Sequence, residues 1–287
     1  MQLVVSSDMK THHPVLYHEV HRCSPGAPWL LLVHGAGGST ATWKRQVPEL
    51  GRYCNIILID LPGHGKMAER AEIANHYSFG QIGAEIWKVA DHLGVQKLHL
   101  VGVSLGSIIV LTMRDQQPNR VVSVINAGAI VRLSTRLKVL AGTSLALAKV
   151  IGYRAFYKLS ATIMLPRKNH KKSREVFLRE SKVLSTEEFR KWTALYAGLN
   201  QTLKHIFHTP SHIPQLLVMG AQDHLFLRQA ERYAALHKKV RLEVVRYCGH
   251  VVSIEQAAVF NELVMDFLRR FEAQEETPSK RPALATT

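Results

Sequence analysis

Short apolar runs return along this chain at intervals that leave room for a helix between them. That rhythm constrains the fold more than any single residue. Residues 29–33, 56–59, 97–103, 121–127, 215–220 and 240–247 each read as a buried strand. Stretches with helical spacing follow at 79–93, 105–117, 227–237 and 253–271. Parallel neighbours cannot be joined by a tight turn and need a crossover, usually a helix. A sheet covered on both faces also reads as continuous apolar strands rather than alternating ones. The chain therefore predicts an α/β fold with a mostly parallel, doubly wound sheet. A further strand at 15–20, a turn at 24–28 and a helix near 43–53 complete the first half.

The rhythm stops between 129 and 212. Residues 132–160 and 174–207 read as two long helices, joined by the basic stretch 166–172. The expectation is a helical cap inserted after the sixth strand and lying over one end of the sheet. The core is then 1–129 with 213–271, the cap 130–212, and a charged, Pro-containing tail at 272–287 that is disordered. Charge follows the same division. Of the net +15, residues 130–212 contribute +12, with 16 Lys and Arg against Glu175, Glu180, Glu187 and Glu188. Such a surplus fits either a solvated basic face or attraction to an anionic partner. Cys23, Cys54 and Cys248 are odd in number and widely spaced, as reduced thiols in a cytoplasmic protein are. No apolar run approaches the ~18 residues of a spanning helix, and 1–14 lacks the order of a secretory signal.

Chemistry concentrates at the ends of the predicted strands, where parallel sheets place their sites. Gly102-Val103-Ser104-Leu105-Gly106 joins strand 97–103 to helix 105–117. A G-x-S-x-G between strand and helix holds the serine on a sharp turn with its hydroxyl exposed. The helix start supplies free N–H groups where an oxyanion would form. A serine hydroxyl is a weak nucleophile and needs a base, itself oriented by an acid. Asp223 follows strand 215–220, and His250 follows strand 240–247. Asp60, after strand 56–59, is a rival carboxylate, and Asp223 has the alternative of capping the next helix. Cys248 lacks an elbow and reads as a small buried residue. His205, His208 and His212 have a ligand-like spacing, but Pro210 interrupts any helix there, so no metal is expected.

Taken together, these motifs give a closer reading. His34-Gly35-Ala36-Gly37-Gly38 with Trp43 downstream, Asp60-Leu61-Pro62-Gly63-His64-Gly65, the elbow, Gly220-Ala221-Gln222-Asp223 and Gly249-His250 occur in one order. The chain resembles the cap-bearing α/β-hydrolases over 15–128 and 213–271. The resemblance implies Ser104 as nucleophile, His250 as general base and acid, and Asp223 as the acid fixing the histidine tautomer. It places the oxyanion donors at the backbone N–H of Ala36 and Leu105. Two positions depart from the family pattern: Lys66 after Gly65, and Ser107 in place of a third glycine.

Epoxide- and halide-displacing members of the fold carry aspartate at the elbow, so serine here points to acyl transfer. The reading is a cofactor-free serine hydrolase of a carboxylic ester or thioester. Its acyl chain lies beneath the cap, among Leu137, Val139, Leu140, Leu145, Leu147, Val150, Ile151, Phe156, Tyr157, Ile163, Met164 and Leu165. Alternatives with the same residues are a C–C bond hydrolase, a cofactor-free peroxidase and a non-catalytic binding protein. The basic cap points to an anionic carrier protein, a coenzyme A thioester or an anionic membrane surface, with Arg167, Lys168, Lys171 and Lys172 its densest cluster. No nucleic-acid motif accompanies the charge.

Overall fold

A computed structural model describes residues 2–4, 15–69 and 76–275. Eight strands form one sheet: β1 (Gln2–Val4), β2 (His18–Arg22), β3 (Trp29–Val33), β4 (Asn55–Ile59), β5 (Leu98–Val103), β6 (Val121–Ala127), β7 (Gln215–Gly220) and β8 (Val240–Val245). Their spatial order is β1-β2-β4-β3-β5-β6-β7-β8. β1 and β2 run antiparallel to their neighbours, and every pairing from β4 onward is parallel. The helices are α1 (Val47–Leu50), α2 (Phe79–His92), α3 (Leu105–Gln116), α4 (Thr135–Ile151), α5 (Tyr153–Met164), α6 (Lys171–Glu180), α7 (Thr186–Ala194), α8 (Tyr196–His208), α9 (Leu227–Leu236), α10 (Val252–Glu255) and α11 (Ala257–Glu275). Among the described residues, no helix is long and apolar enough to cross a membrane.

The central strands are apolar throughout because both faces are covered. Side chains alternate across a strand, so β3 divides its residues between two cores. Leu31 and Val33 pack with Ile82, Ile86 and Trp87 of α2 and with Ile108 to Met113 of α3. Leu30 and Leu32 pack on the opposite face with Trp43 and with Phe260, Val264 and Phe267 of α11. α2 begins where the Ser78 hydroxyl accepts the Gln81 N–H at 3.1 Å. It stops at Gly94, whose φ of +68° suits the left-handed turn after a helix.

Several boundaries differ from the sequence expectation. The strand expected at 15–20 lies at His18–Arg22, as β2, and pairs with β4, so β2 and β3 are not neighbours despite the turn between them. The helix expected at 43–53 is a 3-10 turn at Thr40–Trp43 followed by the four residues of α1. Pro48, in the first turn of α1, has no N–H with which to continue a helix from before it. The long helix 132–160 is two helices broken at Gly152, which sits at φ +80°. The one expected at 174–207 is three. Its first break ends at Ser185, whose hydroxyl accepts the Glu188 N–H and restarts the chain as α7, and its second falls at Leu195. The final helix continues through Glu275, beyond the expected end of order at 271, while 276–287 lie outside the described residues. Five helices, α4 to α8, thus stand between β6 and β7.

Candidate active site

Ser104 joins β5 directly to α3 and adopts φ 53°, ψ −117°, a conformation that costs a non-glycine residue of order 1–3 kcal/mol. The surrounding contacts enforce it. A Cβ on Gly102 would lie 2.6 Å from the Gly106 carbonyl oxygen, and one on Gly106 would lie 2.3 Å from that of Val33. Strand, turn and helix therefore meet at backbone distance, and no larger residue fits at either position. Ser107, the departure from the family pattern, ties this turn to its neighbour. Its hydroxyl donates to the Ser104 carbonyl at 2.5 Å and accepts the Ile130 N–H at 2.9 Å. A third glycine would provide neither bond.

The structure brings together the three side chains singled out after β5, β7 and β8. Ser104 Oγ lies 2.9 Å from His250 Nε2, and His250 Nδ1 lies 2.8 Å from Asp223 Oδ2. The other Asp223 oxygen accepts the N–H groups of Leu225 and Phe226, so the carboxylate is fixed at both ends. Burial alone would raise the Asp223 carboxyl. The His250 charge and hydrogen bond, with the two backbone donors, outweigh it and hold the group below the usual carboxylate range. A carboxylate at Nδ1 makes that nitrogen the donor and leaves Nε2 free to accept the serine proton. His250 is buried against the ring of Phe226, 5.0 Å between centroids.

Asp60 does not join this relay. Its oxygens accept the N–H groups of Thr40 at 2.6 Å and Lys66 at 2.8 Å, pinning two loops together, and burial raises its carboxyl. Cys248 is buried, and that burial pushes its thiol up, away from the reactive thiolate. His205 faces Asp115, Nε2 to Oδ2 3.6 Å, rather than converging with His208 and His212.

The backbone N–H groups of Ala36 and Leu105 flank Ser104, and among the described residues neither has an acceptor within the protein. The loop bearing Ala36 is held by two histidines, His34 and His64, whose part in it the motifs alone do not show. His34 Nδ1 donates to the Gly35 carbonyl and Nε2 accepts the Leu61 N–H. His64 Nδ1 donates to the Pro62 carbonyl and Nε2 accepts the Gly37 N–H. Each ring must be neutral to accept and donate at once. Burial accordingly lowers His34 to about 4 and, with the neighbouring His34, lowers His64 to about 3. Glu255 lies in no recognisable sequence motif. Its carboxylate accepts the N–H groups of Gly249 and Val251, on either side of His250.

Ser104 opens onto two cavities. The larger, about 220 Å³, is apolar, with Phe79 and Ile108 from the core facing Phe156, Phe189, Trp192 and Leu199 from the inserted helices. The smaller, about 50 Å³, lies toward the glycine-rich loop, His250 and Val251. Of the lining residues expected from sequence, Leu137, Leu140, Phe156, Tyr157, Ile163 and Met164 border the larger cavity and Leu165 the smaller. Val139, Leu147 and Ile151 point to solvent instead, and the side chains of Leu145 and Val150 lie outside the described residues.

A family model of the alpha/beta hydrolase fold matches residues 28–257. The chain belongs to that family. It is 29% identical over 260 residues to the 2-hydroxy-6-oxo-2,4-heptadienoate hydrolase of Pseudomonas putida, covering 87% of this chain and 91% of that one. It is 26% identical over 281 residues to a 2-hydroxy-6-oxononadienedioate/2-hydroxy-6-oxononatrienedioate hydrolase of Klebsiella pneumoniae, covering 88% and 90%. Among solved structures, an esterase from Exiguobacterium antarcticum superposes with a TM-score of 0.75 at 17% identity, over 88% of this chain and 95% of that one. This alpha/beta hydrolase therefore resembles in sequence hydrolases named for dienoate substrates and shares its fold with an esterase.

Proposed function

We propose that this chain is a serine hydrolase that cleaves a carboxylic ester or thioester through an acyl-enzyme on Ser104, with the inserted helices acting as its cap. The observation that carries the reading is the Ser104–His250–Asp223 relay opening onto an apolar cavity that, among the described residues, no lysine or arginine borders. Ser104 Oγ attacks the substrate carbonyl carbon while His250 Nε2 takes its proton. The oxyanion is held by the N–H groups of Ala36 and Leu105. His250 returns the proton to the leaving alcohol or thiol as the C–O or C–S bond breaks. Water then gives a proton to His250 and its oxygen to the acyl carbon, releasing the acid and restoring Ser104. Asp223 stays ionised throughout and stabilises the imidazolium.

The two dienoate hydrolases named above support a second reading, cleavage of a C–C bond by the same residues. A dienoate carries a carboxylate. Burying that anion beside Phe79, Ile108 and Phe189, where no lysine or arginine among the described residues lines the wall, would cost several kcal/mol. The ester reading avoids this cost because an acyl chain is neutral. The test combines a fluorophosphonate probe with a series of p-nitrophenyl esters and acyl thioesters graded by chain length. Labelling at Ser104 with turnover that rises with acyl length is the expected result. Labelling without ester or thioester turnover, together with cleavage of a dienoate, would replace it with the C–C reading.

A further inference from the structure

Beside the first turn of α4 lies an open basin of about 490 Å³ whose border carries Arg132, Arg136, Lys138, Arg228 and Arg232 and, among the described residues, no carboxylate. Among the described residues, none of these five forms an ion pair. Five cations facing one concavity repel one another, and the unfavourable field is relieved by an anion inside it. One contact gives the basin fixed geometry. The Arg132 guanidinium lies over the ring of buried Phe207, 4.8 Å from its centroid, which holds it in place rather than leaving it to sweep solvent.

The position of the basin matters as much as its charge. Leu133 and Leu225 border both the basin and the apolar cavity over Ser104, so single side chains separate the two. Within α4, Leu137 lines the apolar cavity while Arg136 and Lys138 on either side of it line the basin. We propose that this basin binds a phosphate group belonging to the substrate whose acyl chain occupies the neighbouring cavity, so that the enzyme acts on a phosphorylated acyl ester. This rests on the hydrolase reading above. Phosphate fits better than carboxylate because several planar guanidiniums can each engage it through two N–H bonds, and its three free oxygens can satisfy more than one arginine. The basic stretch noted in the sequence is a different surface. Arg167, Lys168, Lys171 and Lys172 border none of the cavities described here, Lys171 sits 3.9 Å from Glu175, and the adjacent Asn169 contacts Gln222 and Tyr247.

The test pairs monodecanoylglycerol phosphate with monodecanoylglycerol, using the full chain and R136Q/R228Q/R232Q. The expected result is a ratio of kcat/KM that favours the phosphate ester and falls at least about 30-fold in the triple variant, from the loss of charge-assisted hydrogen bonds. R136K/R228K/R232K should restore part of it. A control with R167Q/K168Q/K171Q/K172Q removes more charge and should leave the ratio in place. An equal fall in that control would reduce the effect to net charge and overturn the proposal. Calorimetry on Ser104→Ala protein, with decyl phosphate against decanol, reads the basin without hydrolysis. A preference for decyl phosphate that disappears with R136Q/R228Q/R232Q upholds the basin even if no ester is turned over, in which case the hydrolase reading alone fails. No such preference overturns the basin even if both esters are hydrolysed. Retention on phosphatidylglycerol vesicles that depends on the three arginines, with no preference for monomeric decyl phosphate, would assign them to a membrane surface and also overturn it.

Discussion

The sheet and the helices inserted between β6 and β7 are held together by different means, and the difference separates positioning of the reacting groups from shaping of the substrate space. In the sheet, Ser104, Asp223 and His250 follow strands whose registers are locked to one another, Gly102 opposite Val33 and Asn126, and Gly220 opposite Val245. A shift at one strand end would have to break a ladder. The inserted helices instead leave Val139, Leu147, Ile151 and Leu159 exposed. They join the core through buried apolar side chains of α8, Leu199, Leu203, Ile206 and Phe207, and through a few polar contacts: Ser39 to Glu180 at 2.6 Å, Tyr77 to Glu188 at 2.7 Å, Trp192 to the Pro62 carbonyl at 3.0 Å and His170 to Gln222 at 2.8 Å. A cavity wall can tolerate an error that a nucleophile cannot, since reacting atoms must meet within a few tenths of an ångström.

The largest effect that tests this contrast comes from the relay. Ser104→Ala and His250→Ala should each lower kcat on the best ester by on the order of 10⁶, and the double variant should lose no more, because the two act as one unit. Asp223→Asn should cost on the order of 10⁴ by favouring the wrong tautomer. Additive losses in the double variant would show that the serine and histidine do not share one proton transfer.

Glycine-to-alanine changes sharpen the comparison in stability. Gly106→Ala puts a methyl 2.3 Å from the Val33 carbonyl oxygen and should cost about 3 kcal/mol in urea unfolding. Gly142→Ala, in α4 with nothing within 4 Å, should stabilise by roughly 0.5–1 kcal/mol. Equal costs at the two positions would mean the inserted helices pack as tightly as the sheet.

Acid sensitivity should also belong to the core. His34, His64 and His99 are buried neutral, with pKa values lowered by burial from 6.5 to about 4, about 3 and about 4. In each case the unfolded chain takes up a proton before the folded one does. Stability is therefore complete above about pH 6.5 and falls as pH drops toward 4, with a slope approaching about 1.4 kcal/mol per pH unit per group. His99 bonds Ser123 within the sheet, away from Ser104, so His99→Asn should remove about one proton from that slope in unfolding titrations between pH 7 and 5. An unchanged slope would break the assignment.

The smallest effect is expected at the contact between α7 and the core. Trp192→Phe keeps most of the cavity wall but loses the bond to the Pro62 carbonyl, and should raise KM a few-fold with kcat nearly constant. A fall in kcat with KM unchanged would mean this contact positions the relay rather than the substrate.

The relay residues were legible because each lies at a strand end within a short local motif, and local sequence carries enough information to place a strand end. His34 and His64 were visible as motif letters, but not as the pair that clamps the Ala36 loop, since their partners lie 27 residues apart in sequence. Glu255 had no motif at all, because its role depends on α10 folding back against the His250 loop. The breaks at Gly152 and Ser185 were hidden by continuous helical spacing, which glycine and serine interrupt only when tertiary packing favours a change of direction.

Sequence by itself determined the alternation of strand and helix, the sharp turn at Ser104 and the order in which Ser104, Asp223 and His250 follow their strands. These follow from periodicity and from backbone geometry that only certain residues allow. Only the tertiary structure decided which apolar side chains of the inserted helices face the cavity and which face water, and which cations gather in one basin. The +12 of residues 130–212 is a property of the sequence. The basin is not, because Arg228 and Arg232 come from α9, on the far side of the insertion in sequence, and meet Arg136 only when the chain folds. Charge is additive along a chain, but the field a ligand meets depends on distance in space.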